Sequence, residues 1–388
     1  MYSVKIGLDA QSHDDFIENS KLPNLLQSSN WAKVKDNWGS ELIGFFQDDK
    51  LKASCLVLIR PLPMGMSMLY IPRGIAMDYE DEGLLKFVIA ELKKFAKSKK
   101  ALFTKLDPAI NFGAARPLIS ALEHLGLEYT GRTQDMHDTI QPRFNAVIHE
   151  EDFSEEALDK KTRQFLRKAN NSHPIVVHGS KELVPVFAEL MKKTESRKQV
   201  SLRNADYYEK LLDIYGAKAF ISLIQFDMGA VKADLEQNAE NVRSNLAKAK
   251  NEKRTRALNE ELAIIEKNLS ETQALIEQRG EVIPVAACLT INVFAAAETL
   301  YAGTDTDFQK YYPSYLAWYE TIKHAFEQGA MTLNMGGLEN SLSPEDGLLR
   351  FKKHFNPRIE EYVGEFDLPT HRLRYKLANY FYKRKKRK

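Results

Sequence analysis

The sequence predicts an α+β protein in which one unit is used twice, with an antiparallel helical hairpin inserted into the second copy. Two observations carry the duplication. Ala53-Ser54-Cys55-Leu56 lies in an apolar run and returns as Ala286-Ala287-Cys288-Leu289 in another, and Leu69-Tyr70 returns as Leu300-Tyr301. The tetrapeptides are 233 residues apart and the Leu-Tyr pairs 231, and each pair is followed by an amphipathic stretch and a short apolar strand, residues 102–106 and then 331–335. Self-similarity at this period indicates duplicated domains, because solenoid repeats recur every few tens of residues. The third observation is a stretch free of glycine and proline between Gly229 and Gly280. Two copies of one unit form a cleft between them, and ligand sites favour such junctions.

In the first half, residues 41–47 and 53–61 read as a hairpin joined at Asp48-Asp49-Lys50. Residues 83–97 carry Leu84, Leu85, Val88, Ile89, Leu92 and Phe95 at helical spacing. Residues 104–107 then run as a strand into Asp107-Pro108, and a second helix over 114–125 stops at Gly126. Residues 139–148 cross out of this unit, which sets a boundary near 145–151.

In the inserted stretch Leu235, Ala239, Val242, Leu246 and Ala249 follow heptad steps, and Leu258, Leu262, Ile265, Leu269, Thr272 and Ile276 do the same in a second phase. Extending the first phase would put Lys253, Arg256, Glu260 and Lys267 on the seam, so the register breaks near residues 250–256. Two antiparallel helices with a charged tip follow, each about 24 residues and ~36 Å long. Loss of residues 230–278 is expected to leave the rest folded, and the arm serves either as a spacer or as a handle for a large partner. The expected division is 1–148 with 364–388 as the first domain, 149–229 with 281–363 as the second, and 230–280 as the coiled-coil arm.

A chain of 388 residues with 44% hydrophobic content exceeds the size at which one core suffices, about 250 to 300 residues. Cys55 and Cys288 sit in apolar runs, which points to packed thiols and to neither a disulfide framework nor a metal site. The start lacks an apolar h-region, and the longest apolar stretch, 282–297, is broken by Pro284, Thr290 and Asn292. A cytoplasmic protein without a spanning helix is expected. Pro369-Thr370 opens an expected helix with Leu373, Leu377, Tyr380 and Phe381 on one face, ending in six consecutive basic residues, 383–388. Against a net charge of +2 these are a local concentration, suited to nucleic acid, to an anionic membrane at whose inner face the protein would sit peripherally, or to a plain soluble end.

No phosphate loop, GxGxxG, HExxH, CxxC pair or serine elbow is present, and no cofactor is expected. Gly336-Gly337 marks either a close backbone approach to a ligand or a tight turn. The remaining chemistry lies in cations and rings: Lys33 and Lys35 between Trp31 and Trp38, Arg73 in Pro72-Arg73-Gly74, Arg203 with Tyr207, Tyr301, and Lys352. Such a set suits a phosphate-bearing substrate.

Trp31-Ala32-Lys33-Val34-Lys35, Pro72-Arg73-Gly74, Asp107-Pro108, Thr139-Ile140-Gln141-Pro142-Arg143, Gly336-Gly337 and Phe351-Lys352 occur in the order of the Fem-type (FemABX) peptidoglycan bridge aminoacyltransferases, which the chain resembles over nearly its whole length. The resemblance implies two acetyltransferase-like (GNAT) domains. It implies transfer of an amino acid from aminoacyl-tRNA to an amino group of the stem peptide, on UDP-MurNAc-pentapeptide or on lipid II. It places Lys352 at the tetrahedral intermediate and the tRNA ribose end, and Asp107 as the base, for which a cap on the turn before Pro108 is the alternative. By the same resemblance Lys35, Arg203, Tyr207 and Tyr301 contact the muropeptide carrier. Lys33, Trp38, Arg73, Gly337 and Phe351 join them as substrate-binding candidates, Lys33 because a register error of two would exchange it with Lys35. The acyl-CoA loop of GNAT enzymes is not recognisable in either copy. An acyl-CoA-dependent N-acyltransferase and an RNA-binding scaffold remain as alternatives.

Overall fold

The computed structural model describes residues 1–114, 116–131, 139–198 and 203–377. The first half supplies strands β1 (Tyr2–Ile6), β2 (Gly39–Gln47), β3 (Lys50–Leu62), β4 (Met66–Ile71), β5 (Ala76–Met77), β6 (Ala101–Leu106) and β7 (Glu128–Gly131). Helices α1 (Ala10–Glu18), α2 (Ser29–Val34), α3 (Glu82–Ser98) and α4 (Arg116–His124) connect them. The second half supplies β8 (Phe144–His149), β9 (Pro174–Gly179), β10 (Ala219–Asp227), β11 (Val282–Val293), β12 (Ala296–Thr304), β13 (Thr332–Leu338), β14 (Arg358–Glu361) and β15 (Glu365–Pro369). Its helices are α5 (Lys160–Asn170), α6 (Val184–Lys198), α7 (Ala205–Tyr215), α8 (Met228–Ala247), α9 (Glu252–Arg279), α10 (Pro313–Glu327) and α11 (Gly347–Lys353).

The duplication is written in the two sheets. One runs β1-β2-β3-β4-β6-β15-β7 and the other β9-β10-β11-β12-β13-β8-β14, so the first five strands of each correspond one for one. Each sheet has a single parallel pair, β4 with β6 and β12 with β13. Parallel neighbours need a crossover, which α3 and α10 supply. The sixth place in each sheet is filled by exchange: β8 follows the first unit in sequence but pairs with β13, whereas β15 follows the second unit but pairs with β6. Residues 144–148, put on the first side of the expected boundary at 148, therefore hydrogen-bond in the second sheet; residues 365–369 pair in the first.

The repeated Ala-x-Cys-Leu strands explain the packing. Alternation along β3 points Cys55 and Val57 at α3 in the first core and Leu56 and Leu58 at the other unit; along β11, Cys288 joins the second core while Ala287, Leu289 and Ile291 face the first unit. A third apolar core thus fills the junction and fixes the two sheets against each other. Burial raises the pKa of both thiols, that of Cys288 to about 12. The expected hairpin turn has Asp48 and Asp49 both at positive φ, as a two-residue connection needs. Gly126 stands at φ +94° just past α4.

The chain turns between α8 and α9 at residues 248–251, where the heptad phase breaks, and Asn251 caps α9. Only the outer part of the arm stands alone. Met228 and Val231 belong to the second core, and Leu235, Leu275 and Ile276 pack against it. Arg279 pairs with Asp305 at 2.5 Å and lies over the Phe308 ring. Removing all of 230–278 would expose this packing, so the arm is not detachable at its base.

Helix does not begin at Pro369-Thr370: Pro369 ends β15, and residues 372–377 are helical. Tyr375 is buried, with its hydroxyl on Asp367 at 2.7 Å, while Leu373 and Leu377 are exposed, opposite to the expected face. The basic run 383–388, with Tyr380 and Phe381, lies outside the described residues. No helix among the described residues is long and apolar enough to cross a membrane.

Candidate active site

The parallel pair that is closed in the first unit is open in the second. In the first, β4 and β6 pair from Ser67 with Ala101 through Ile71 with Leu106. In the second, β12 and β13 pair only from Ala296 with Thr332 to Glu298 with Asn334, while β13 stays paired with β8 on its other side from Thr332 to Leu338 across a bulge after Asn334. Tyr70 and Tyr301 are equivalent, so pairing in the second unit stops at the position corresponding to Ser67. Among the described residues, positions 299–304 of β12 have no strand neighbour on that side.

A cavity of about 420 Å³ lies beside β12, lined by Ala286 and Ala287 from β11, Ala302 and Gly303 from β12, Trp318 from α10, and Phe351 with Lys352 from α11. Its strand wall is made of small residues, and on the other face of the sheet Gly303 admits α6, where a Cβ would meet the Leu190 backbone at 3.0 Å. It continues past Thr304 and Ser314 into a second cavity of about 390 Å³ at the start of α10, walled by Lys161, Arg350 and His354.

Asp346 caps α11 through the Leu348 and Leu349 amides, which aims Lys352 at β13. Lys352 is only 4% exposed and donates to the Gly337 carbonyl at 2.8 Å. That carbonyl is presented by a bulge between Asn334 and Gly337 with Gly336 at φ +87°, where a Cβ would stand 3.6 Å from the ammonium. Gly336-Gly337 therefore lies within β13, not in a turn after it. Phe351 contacts Tyr315, Trp318 and Phe355 along the cleft wall. An ammonium in this weakly polar surround acts strongly on any negative charge formed beside it.

Asp107 directly follows β6 in the first unit. It does not cap the turn before Pro108: Oδ2 accepts from the Tyr70 hydroxyl at 2.8 Å and Oδ1 from the Arg73 amide at 2.7 Å. Burial pushes its carboxyl up to about 6, against the opposing pull of the Arg73 charge and amide and the Tyr70 hydroxyl. The Arg73 guanidinium lies 4.4 Å over the Tyr362 ring and donates to the Pro142 carbonyl at 2.7 Å. Glu298 of β12 stands near it, its carboxyl raised by burial with the Arg73 charge acting in opposition. Around it the 139–143 segment is tied down by Ile140 N–H to Glu365 and by Arg143 to Glu361.

A third group forms at the junction of the units. Lys35, at the end of α2, lies over Trp31, and burial lowers its pKa, helped by the charges of Arg203 and Lys210. Arg203 stacks on Tyr207, which meets Tyr301 edge-on at 6.2 Å; Asn204 caps α7 and holds Tyr207 there. Burial and Tyr301 raise the Tyr207 pKa. Lys33 is exposed and bonds Asn30, and Trp38 lies under Arg60, so neither joins this group.

The candidates thus divide into Lys352, Gly337 and Phe351 at the cleft, Asp107 with Arg73 at the junction, and Lys35, Arg203, Tyr207 and Tyr301 beside it. Sequence reasoning passed over Tyr70, Glu298 and Tyr362. Tyr70 could have been found as the repeat partner of Tyr301, and Glu298 as the one charge in the apolar run 296–300. Tyr362 carried no local signal.

The same architecture occurs in solved proteins. A FemX crystal structure matches with a TM-score of 0.80 at 24% identity, covering 97% of this chain and 99% of that one. A tandem GNAT protein from the clavulanic acid biosynthesis pathway matches with a TM-score of 0.52 at 7% identity, covering 95% and 99%. In sequence, proteins named lipid II:glycine glycyltransferase from Staphylococcus haemolyticus (strain JCSC1435) and Staphylococcus aureus (strain MRSA252) are each 26% identical, over 96% of this chain and 94% of theirs. The FemAB family model matches residues 8–383, and with two GNAT-like units joined across the site just described, the chain belongs to the FemAB family.

Proposed function

We propose that the chain moves an aminoacyl group from aminoacyl-tRNA to an amino group of the peptidoglycan stem peptide or of a growing interpeptide bridge. The observation that carries this reading is the unzipped β12/β13 pair with a buried ammonium at its edge. It is a slot for one activated acyl group, of which the first unit has only the closed counterpart. Family membership and the relatives named lipid II:glycine glycyltransferase support a lipid-linked muropeptide as acceptor.

The ester of the donor is already activated, so the protein's task is to hold an amine against it. The amine lone pair attacks the ester carbon, the carbonyl oxygen takes up the negative charge, and collapse breaks the bond to the ribose oxygen. Lys352 stabilises that charge. A lysine amine, with a reference pKa of about 10.4, must first lose a proton. Solvent takes that first proton; Asp107, with its carboxyl near 6 and so ionised at neutral pH, takes the second proton, which the nitrogen sheds on attack, and passes it to the departing ribose oxygen. Arg73 and Tyr70 hold Asp107, while Lys35, Arg203, Tyr207 and Tyr301 grip the phosphates and sugar of the carrier. Arg372, Leu373, Arg374, Lys376 and Leu377, exposed ahead of the basic run, provide a peripheral contact with the anionic membrane that carries such an acceptor.

Incubation with labelled aminoacyl-tRNA or acyl-CoA and a muropeptide acceptor tests the reading. RNase-sensitive labelling of the acceptor is expected. CoA release would instead make the chain an acyl-CoA N-acyltransferase, and no transfer would leave a binding protein.

A further inference from the structure

α5 is divided by its periodicity into three stripes. Thr162, Leu166 and Ala169 are buried, and the last two belong to the second core. Lys161, Phe165 and Lys168 form the stripe beside the cleft. Phe165 stacks on Tyr312 at 4.1 Å, Lys161 lies over Phe165, and Lys168 lies over Tyr312. Lys160, Arg163, Gln164 and Arg167 form the outer stripe and line a groove of about 430 Å³.

Both solvent-facing stripes are basic, and stability does not account for them. Five cations stand on eleven residues with no carboxylate among them, in a chain whose net charge is +2. Among the described residues none of the five is in an ion pair within 4.0 Å, although Glu155 and Glu156 stand on the far rim of the groove. Lys160 and Lys161 occupy the first turn, where the helix dipole disfavours cations. What the arrangement offers is a row of five cations without a close ion-pair partner, about 12 Å long from Lys160 to Lys168 at 1.5 Å per residue. Lys161, in its first turn, stands on the wall of the cleft.

We propose that α5 is the docking track for the acceptor-stem phosphates of the donor tRNA, leading its aminoacylated 3′ end into the cleft beside β12. This rests on the donor reading above and adds where the rest of that polyanion lies. A donor whose ester sits in the cleft must bring its phosphates out past a wall, and α5 is a basic wall at the mouth. Rows of Lys and Arg hold nucleic acid through phosphate contacts that release counterions, so affinity falls steeply with salt.

The test compares the wild-type chain with a K160A/R163A/R167A variant, using full-length aminoacyl-tRNA and an aminoacylated trinucleotide as donors. The variant's KM for the full-length donor should rise at least tenfold, while its KM for the trinucleotide stays within twofold of wild type. Its log-log salt dependence for tRNA binding should flatten by about two to three, close to 0.9 for each phosphate contact removed. Unchanged KM and salt slope, with active wild type, would overturn the docking track alone. Wild type inert with every aminoacyl-tRNA would overturn the donor reading and this inference with it. Loss of binding to phosphatidylglycerol vesicles with tRNA binding intact would mark the stripe as a lipid surface and overturn it as well.

Discussion

Replacing Asp107 by Asn separates a group kept for chemistry from one kept for stability. The side chain is 2% exposed, and its carboxyl sits near 6 in place of 3.8. Ionising it in the folded protein therefore costs about 3 kcal/mol more than in the unfolded chain, at about 1.4 kcal/mol per unit. Because the folded pKa is the higher one, this cost is absent below pH 4 and complete above about pH 6. Asparagine keeps the shape: its oxygen can accept from the Arg73 amide, and its NH₂ can donate to the Tyr70 hydroxyl. D107N should match wild type in stability at pH 4 and exceed it at pH 8 by up to ~3 kcal/mol, on the order of 4 °C in melting temperature for a chain of this length. Its turnover should fall, and the rise of kcat through pH 6 should vanish. Scanning calorimetry from pH 4 to 8 and a pH-rate profile read both. Lower stability at pH 8, or an unchanged pH-rate profile, would make Asp107 a structural residue.

Lys352→Ala should lower kcat on the order of a hundredfold, as for loss of an oxyanion donor, with acceptor KM little changed; near-normal turnover removes Lys352 from the mechanism. Lys105→Met should destabilise by about 3 to 5 kcal/mol, because Lys105 bridges Glu365 at 2.7 Å and Asp367 at 2.9 Å and its loss leaves two buried carboxylates facing each other. Denaturant unfolding checks this, and the loss should be larger at pH 8 than at pH 4. Replacing residues 244–265 by a short Gly-Ser turn should preserve cooperative melting, whereas replacing 230–278 should not, since only the second cut removes Val231, Leu235, Leu275 and Ile276 from the second core. Equal melting of the two would mean that the arm's base contributes nothing to that core.

The fold was legible where periodicity and repetition carry it. The Cys55 and Cys288 strands, the α3 spacing and the phase break before α9 each predicted an element that formed. The return of residues 364–388 to the first unit was part of the expected division, but the passage of β8 to the second sheet was not, because pairing across sheets leaves no local mark: residues 144–149 read the same whichever sheet they join. The arm's base was misjudged for a related reason, since heptad positions such as Leu235 show that a face is apolar but not what covers it. At the site, residue types in motifs located Lys352 and Asp107. The hydrogen bonds of Asp107 to Tyr70 and Arg73 depended on the pairing of β4 with β6, and the separation of Lys35 from Lys33 on which side of α2 faces α7.

The central claim is that the second unit's open strand pair takes the donor while the junction takes the acceptor. A non-hydrolysable aminoacyl-tRNA analogue with a photoreactive group at its 3′ end tests it directly. Crosslinks are expected at Ala302, Gly303 and Phe351 and should be competed by aminoacyl-tRNA but not by a muropeptide acceptor. Crosslinks confined to Lys35, Arg203 or Tyr207, or to the closed β4/β6 pair, would contradict the assignment.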